Sequence, residues 1–127
     1  MLTFSQFKAI VYACCQQHTA TAVDWFAPDV TPNFYAVRIH QHHTTFYVLC
    51  NHDQQWAYSQ TFEPHSCQLN FVEQPAFSQI LSELFDIRPL TVAELRADFQ
   101  PNSNFSAADI RYWKPQCMGN ACFNWWD

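Results

Sequence analysis

One glycine serves the whole chain. Gly119 stands alone among 127 residues, where average usage would place about nine. Glycine adopts left-handed backbone without steric penalty and lets a second backbone come close. Glycine-rich phosphate loops and dinucleotide fingerprints are therefore excluded. Turns must be made by Asn, Asp, Pro and His. Gly119 itself falls inside a helical stretch, where it costs about 1 kcal/mol relative to alanine. Another backbone or a ring packed against it would explain its presence there.

The remaining pattern gives the element order. Thr3-Phe4-Ser5-Gln6 is a capping box, and Phe7, Ile10, Val11 and Cys14 follow at i, i+3, i+4, i+7, which predicts an amphipathic helix over 4–17. Val23 to Asn33 contains Pro28, Asp29, Pro32 and Asn33 and reads as a loop holding Trp25 and Phe26. Phe34 to His40 and Thr44 to Asn51 are rich in β-formers and flank Gln41-His42-His43, so the pair reads as a hairpin. Tyr35, Val37 and Ile39 then share one face, and Phe34, Ala36, Arg38 and His40 the other. Asn51-His52-Asp53 turns the chain into a third strand within Gln55 to Thr61, and Cys67 to Val72 gives a fourth.

Helical periods fill the second half. Pro75 at N1 and the stripe Phe77, Ile80, Leu81, Leu84 predict a second helix. Ile87 to Leu90 is an extended link. Thr91 and Glu94 form a second capping box, for a helix running to about Asp98. After a loop at Pro101-Asn102-Ser103-Asn104, Ser106 caps a turn into Ile110, and Pro115 starts a closing helix with Met118, Ala121, Cys122 and Trp125 on one stripe. The expected fold is a single α+β domain over 1–127: an antiparallel meander of about four strands, helices packed on one face, an N-terminal helix and a helical C-terminal half.

Apolar residues make up 49% and aromatics 17%, ample for a core without disulfides or metals. Lys8 and Gln6 interrupt the apolar residues of the amino terminus, so no signal peptide is read there, and no run approaches a membrane span. Cys14, Cys15, Cys50, Cys67, Cys117 and Cys122 lack framework spacing and read as reduced, mostly buried thiols in a cytoplasm. A net charge of -5 disfavours nucleic acid and favours a basic protein partner.

The charge is unevenly placed. Residues 1–62 hold three acids and two bases, and residues 110–127 are net positive. The surplus lies in 63–109, where Glu63, Glu73, Glu83, Asp86, Glu94, Asp98 and Asp109 face only Arg88 and Arg96. Glu63, Glu73, Glu83, Asp86, Glu94 and Asp98 are the candidate partner-binding residues, against the plainer reading of a solvated helix face.

Chemical constellations are weaker. His40, His42, His43 and His52 cluster in sequence, as a metal-responsive module would require, but they lack spaced Cys or carboxylate companions and read as exposed turn residues. A Cys50–His52 nucleophile pair lacks an orienting third residue. No catalytic residue, metal ligand or cofactor is assigned. A pocket between sheet and helices lined by Trp25, Trp56 and Tyr58 would instead make the chain a small-molecule binding or enzymatic domain.

Three of the five tryptophans fall in the last sixteen residues. Tyr112-Trp113-Lys114-Pro115, three residues, Gly119, three more, then Phe123-Asn124-x-Trp126-Asp127 resembles the carboxyl ends of small bacterial immunity proteins from toxin–immunity loci, including contact-dependent growth inhibition systems. The resemblance implies a small, cytoplasmic, non-catalytic protein that neutralises a toxin domain by covering its active site or an essential surface. It carries over no binding residue by position. Together with size and charge it leads to one expectation: an immunity-type protein, not an enzyme, that meets a cognate toxin through an acidic surface.

Overall fold

The computed structural model describes residues 2–27, 34–62, 69–100, 107–113, 115 and 117–123. Its first helix, α1 (Phe4–His18), begins at the capping box read from the sequence: Gln6 N–H donates to Thr3 Oγ1 at 3.1 Å, and Thr3 N–H donates to Gln6 Oε1 at 2.8 Å. Two of the orphan donors at the helix start are thus satisfied. Phe7, Val11, Cys14 and Cys15 form its buried face.

Five strands follow in a simple antiparallel meander, ordered β1-β2-β3-β4-β5: β1 (Thr21–Phe26), β2 (Phe34–Gln41), β3 (Thr44–Asn51), β4 (Trp56–Ser59) and β5 (Phe71–Val72). The fold class is α+β, as the segregated patterns predict. One strand was not foreseen. Residues 23–26, expected in a loop, belong to β1 and pair with β2 through Asp24↔Arg38, Trp25↔Val37 and Phe26↔Ala36. The register slips between Ala22 and Asp24. Such a bulge breaks the period-2 alternation by which a strand is recognised, and this is why the segment is illegible on its own. The fourth predicted strand is confirmed only at its end, Phe71–Val72; Cys67 and Gln68 lie outside the described residues.

β2 and β3 pair over their full lengths, from Phe34↔Asn51 to Gln41↔Thr44. Only His42 and His43 lie between them, and both are left-handed, at φ 46° and 67°. A two-residue hairpin needs positive φ at both central positions to match the strand twist. Histidine supplies it here in place of Asn-Gly.

The sheet buries both faces. On one, Tyr35, Val37, Ile39, Phe46, Val48, Cys50, Trp56 and Tyr58 pack with α1 and with Phe77 and Leu81 of α2 (Pro75–Phe85). Rings order this layer: Phe7 stacks on Tyr35 at 5.4 Å, and Phe77 meets Phe46 and Tyr58 edge-on at 5.8 and 6.0 Å. On the other face, Phe34, Ala36, Leu49, Ala57, Phe62 and Phe71 pack with Leu95 of α3 (Val92–Arg96) and with Cys122 and Phe123 at the end of α5 (Met118–Cys122). The single-face expectation thus holds for α1 and α2, while the short helices α3 and α5 cover the opposite side. α3 keeps its predicted capping box, Glu94 N–H to Thr91 Oγ1 at 3.1 Å and Thr91 N–H to Glu94 Oε1 at 3.1 Å.

α4 (Ala107–Trp113) is the turn toward Ile110 read from the sequence; its cap Ser106 and the loop at 101–104 lie outside the described residues. The closing helix starts at Met118 after N-cap Cys117, not at Pro115, and Trp125 of its predicted stripe is also outside the described residues. Gly119 behaves as expected. A Cβ there would stand 2.9 Å from Phe71 Cζ and 3.1 Å from the Leu95 carbonyl oxygen. The only glycine is used for its missing side chain, not for its backbone freedom.

Candidate partner-binding surface

Of the six acids singled out, Glu63 lies outside the described residues. Glu73, Glu83, Asp86, Glu94 and Asp98 are all exposed. Their settings differ. Glu83 is on the outer side of α2 and accepts from Gln79 Nε2 at 3.0 Å. Asp86 ends α2 in left-handed conformation at φ 55°, its N–H returned to the carbonyls of Leu81 and Ser82. Glu94 is committed to its cap, and hydrogen bonds from the Thr91 backbone and hydroxyl, with Arg88 nearby, hold its carboxyl below the ordinary value. Asp98 forms an isolated backbone bridge with Cys117.

Arg88 is the hub of this region. It pairs with Glu94 at 3.6 Å, shares one cleft with Glu73, and shares a second with Asp86. The structure therefore pairs one exposed base with Glu94 and sets it in the same clefts as Glu73 and Asp86, with Glu83 nearby on α2. Asp98 stands apart, beyond α3. The bases of the amino-terminal half are engaged elsewhere: Arg38 with Asp24, and Lys8 over the rings of Phe4 and Trp25 at 4.7 and 5.5 Å.

Two apolar residues join this region that the sequence placed differently or passed over. Leu84 was read as core-facing; it is 49% exposed, and its neighbour Phe85 is 38% exposed. Consecutive helical residues point about 100° apart, so the core that takes Phe77 and Leu81 cannot take both. Two adjacent large apolar residues at the end of a stripe already carrying Phe77, Ile80 and Leu81 were the available signal.

The rival constellations disperse. Trp25 packs against Phe4, Phe7 and Tyr12, with ring centroids 5.0–6.3 Å apart. Trp56 and Tyr58 are core residues. Tyr58 lines one open cleft of about 320 Å³, beside Ser78, Glu73 and Arg88; Trp56 lines another of about 410 Å³, beside Leu2, Ile10 and Phe85; Trp25 lines neither. His52 sits at the opposite end of β3 from His42 and His43, roughly 25 Å away along eight residues at ~3.4 Å each. Among the described residues no group of three or more His, Cys, Asp or Glu is placed to hold a metal ion. Cys50 is fully buried; its thiol donates to the Asn51 carbonyl at 3.6 Å, and burial pushes it up to about 12. A neutral, enclosed thiol is a poor nucleophile. The five described cysteines are free thiols, and all but Cys117 are buried.

No helix among the described residues is long and apolar enough to cross a membrane. Comparison of the chain with models of known protein families, with curated proteins and with solved structures finds no match.

Proposed function

We propose that this chain is an immunity-type protein that binds a cognate bacterial toxin domain in the cytoplasm and neutralises it through the acidic surface of its helical half. The observation that carries the reading is the exposure of Glu73, Glu83, Asp86, Glu94 and Asp98, with two bare apolar side chains beside them at the end of α2. The carboxyl-terminal resemblance supplies the class of partner. An acidic surface attracts a basic toxin domain before contact and orients it. Neutralisation then needs only occlusion of the toxin's own working surface, with no bond made or broken by this chain.

Co-expression with the toxin domain encoded beside it should protect cells, and purified components should associate more slowly as salt rises. The Debye length shrinks from roughly 10 Å at 0.1 M to roughly 3 Å at 1 M, so a steered on-rate falls steeply across that range. The triple variant Glu73→Gln, Glu83→Gln, Asp86→Asn should show a lower on-rate at low salt and a flattened salt dependence. Failure to protect against any linked toxin would refute the reading, as would turnover of a substrate by the purified chain.

A second reading rests on the cleft of about 320 Å³, where Glu73, Ser78, Ser82, Arg88 and Thr91 converge on Tyr58. Its size is at the low end for ligand pockets, roughly 300–1,000 Å³. A ligand that raises the melting temperature of the chain but not of Arg88→Ala would favour it.

A further inference from the structure

Phe77 and Leu81 of α2 enter the core, but Ser78 and Ser82, one residue on from each, line a cleft against the link between α2 and α3. Their short side chains leave about 320 Å³ open. The far wall is Ile87, the buried Pro89 and Leu90. That wall is pinned at both ends: Ile87 N–H donates to the Leu81 carbonyl at 3.2 Å, and Leu90 N–H donates to the Trp56 carbonyl at 2.8 Å. Pro89 fixes its own φ between them. A ligand therefore meets a cleft already built and spends little on ordering it. Tyr58, 2% exposed, reaches the cleft from the core and shares a hydrogen bond with Ser78 at 2.9 Å. Burial moves this phenol upward from 10.0, so at neutral pH it is an uncharged donor or acceptor.

One acid and one base line this cleft. Glu73 precedes α2 and Arg88 follows it. Glu73 makes no ion pair or hydrogen bond among the described residues. Arg88 meets Glu94 at 3.6 Å with its side chain 79% exposed, a pairing of little strength in water. Both charges are therefore open to a ligand. From Pro75 to Ser82 the helix covers about 10 Å at ~1.5 Å per residue, and an extended chain advances roughly 3.3–3.6 Å per residue. We propose that the cleft binds a zwitterionic apolar peptide of about two or three residues, its ammonium on Glu73, its carboxylate on Arg88 and its backbone on the Ser78 and Ser82 hydroxyls. A lone anion or cation would answer only one of the two charges. The peptide's side chains lie against Pro75, Ile87 and Leu90, which line the same cleft. The inference rests on the ligand-pocket reading of this cleft and names the ligand.

Amide chemical shifts of the full chain test it with four probes. These are the dipeptide Leu-Leu, N-acetyl-Leu-Leu without the ammonium, Leu-Leu amide without the carboxylate, and free leucine, which is too short to span the cleft. Leu-Leu should move the amides of Glu73, Ser78, Ser82 and Arg88. Blocking either end, or shortening to leucine, should weaken binding roughly tenfold or more. Glu73→Gln should bind Leu-Leu no better than the acetylated peptide, and Arg88→Gln no better than the amide. Asp98→Asn changes charge outside the cleft and should leave all four affinities as they were. Both cleft substitutions are at exposed positions, and melting curves verify folding. Equal binding of a blocked peptide or of leucine at these amides, or indifference to both variants, overturns the zwitterion and leaves the pocket standing. Stillness of these amides with all four probes also overturns it. Neutral and singly charged fragments of similar size then decide the pocket: movement of the same amides keeps it, and stillness ends it as well.

Discussion

Asn51 does more structural work than its turn position implies. It is 1% exposed. Its Nδ2 donates to Gln55 Oε1 at 2.8 Å and to the Cys122 carbonyl at 2.9 Å, while its Oδ1 accepts the N–H groups of Asp53 and Gln55 at 3.1 and 2.8 Å. One amide therefore closes the β3–β4 turn and ties the end of α5 to the sheet. Removing it leaves several buried polar groups unpaired, each costing about 1–3 kcal/mol. Asn51→Ala should lower unfolding stability by about 2–4 kcal/mol in urea titration. Asn51→Asp should rescue little, since a carboxylate would face the Cys122 carbonyl without a proton to give. Gly119 offers a test whose sign is informative. Helix propensity alone would make Gly119→Ala stabilising by about 1 kcal/mol. The Phe71 ring and Leu95 carbonyl leave no room for the methyl, and overpacking of this kind costs about 1–3 kcal/mol. A net loss of stability is expected, and a gain would contradict the packing described.

At the level of elements, the scarcity of glycine shows in the connections. Thr19 ends α1, His42 and His43 make the hairpin turn, Gln54 precedes β4, and Asp86 ends α2, all with positive φ. Such residues store strain of order 1 kcal/mol or more each. Replacing His42-His43 by Asn-Gly, the pair best suited to a two-residue hairpin, should raise stability by about 1 kcal/mol, read as a higher denaturant midpoint. Because His42 and His43 lie on the opposite end of β3 from His52 and Gln54, the change should leave partner binding untouched. The helix starts behave in the opposite way. Both capping boxes are local agreements between residues three apart, so they are legible without tertiary information and form as read.

For the whole molecule, the buried thiols couple stability to alkaline pH. Burial raises Cys14, Cys15 and Cys122 from an ordinary value of 9.0 to about 11 and Cys50 to about 12, and it moves the phenol of Tyr58 upward from 10.0 as well. The unfolded chain releases these protons first, so above pH 9 the folded state binds more of them. Stability contributed by the neutral thiols is complete below pH 9 and declines as pH rises toward 11 and beyond. Urea midpoints measured from pH 8 to 11 under reducing conditions should therefore fall, with a shallower decline in Cys50→Ala. A flat profile would show that these thiols are not enclosed as described.

The sequence alone determined what depends on neighbours in the chain: the α+β class, α1 with its cap, the β2–β3 hairpin and the alternation of β2's faces, Thr91 as a helix start, and the concentration of acids in residues 63–98. Each follows from a period, a cap or a charge count that needs no distant partner. Tertiary structure decided what depends on residues far apart. It recruited β1 by offering the free edge of β2 to a segment whose bulge hides its alternation. It placed α3 and α5 on the second sheet face, and it set Phe71 against Gly119. It also separated His52 from the other histidines. It left Leu84 outside a core already filled by Phe77 and Leu81, and set Arg88 against Glu94 and in the same clefts as Glu73 and Asp86. An amphipathic stripe states which side of a helix is apolar; only packing against the rest of the chain settles how much of that side finds cover.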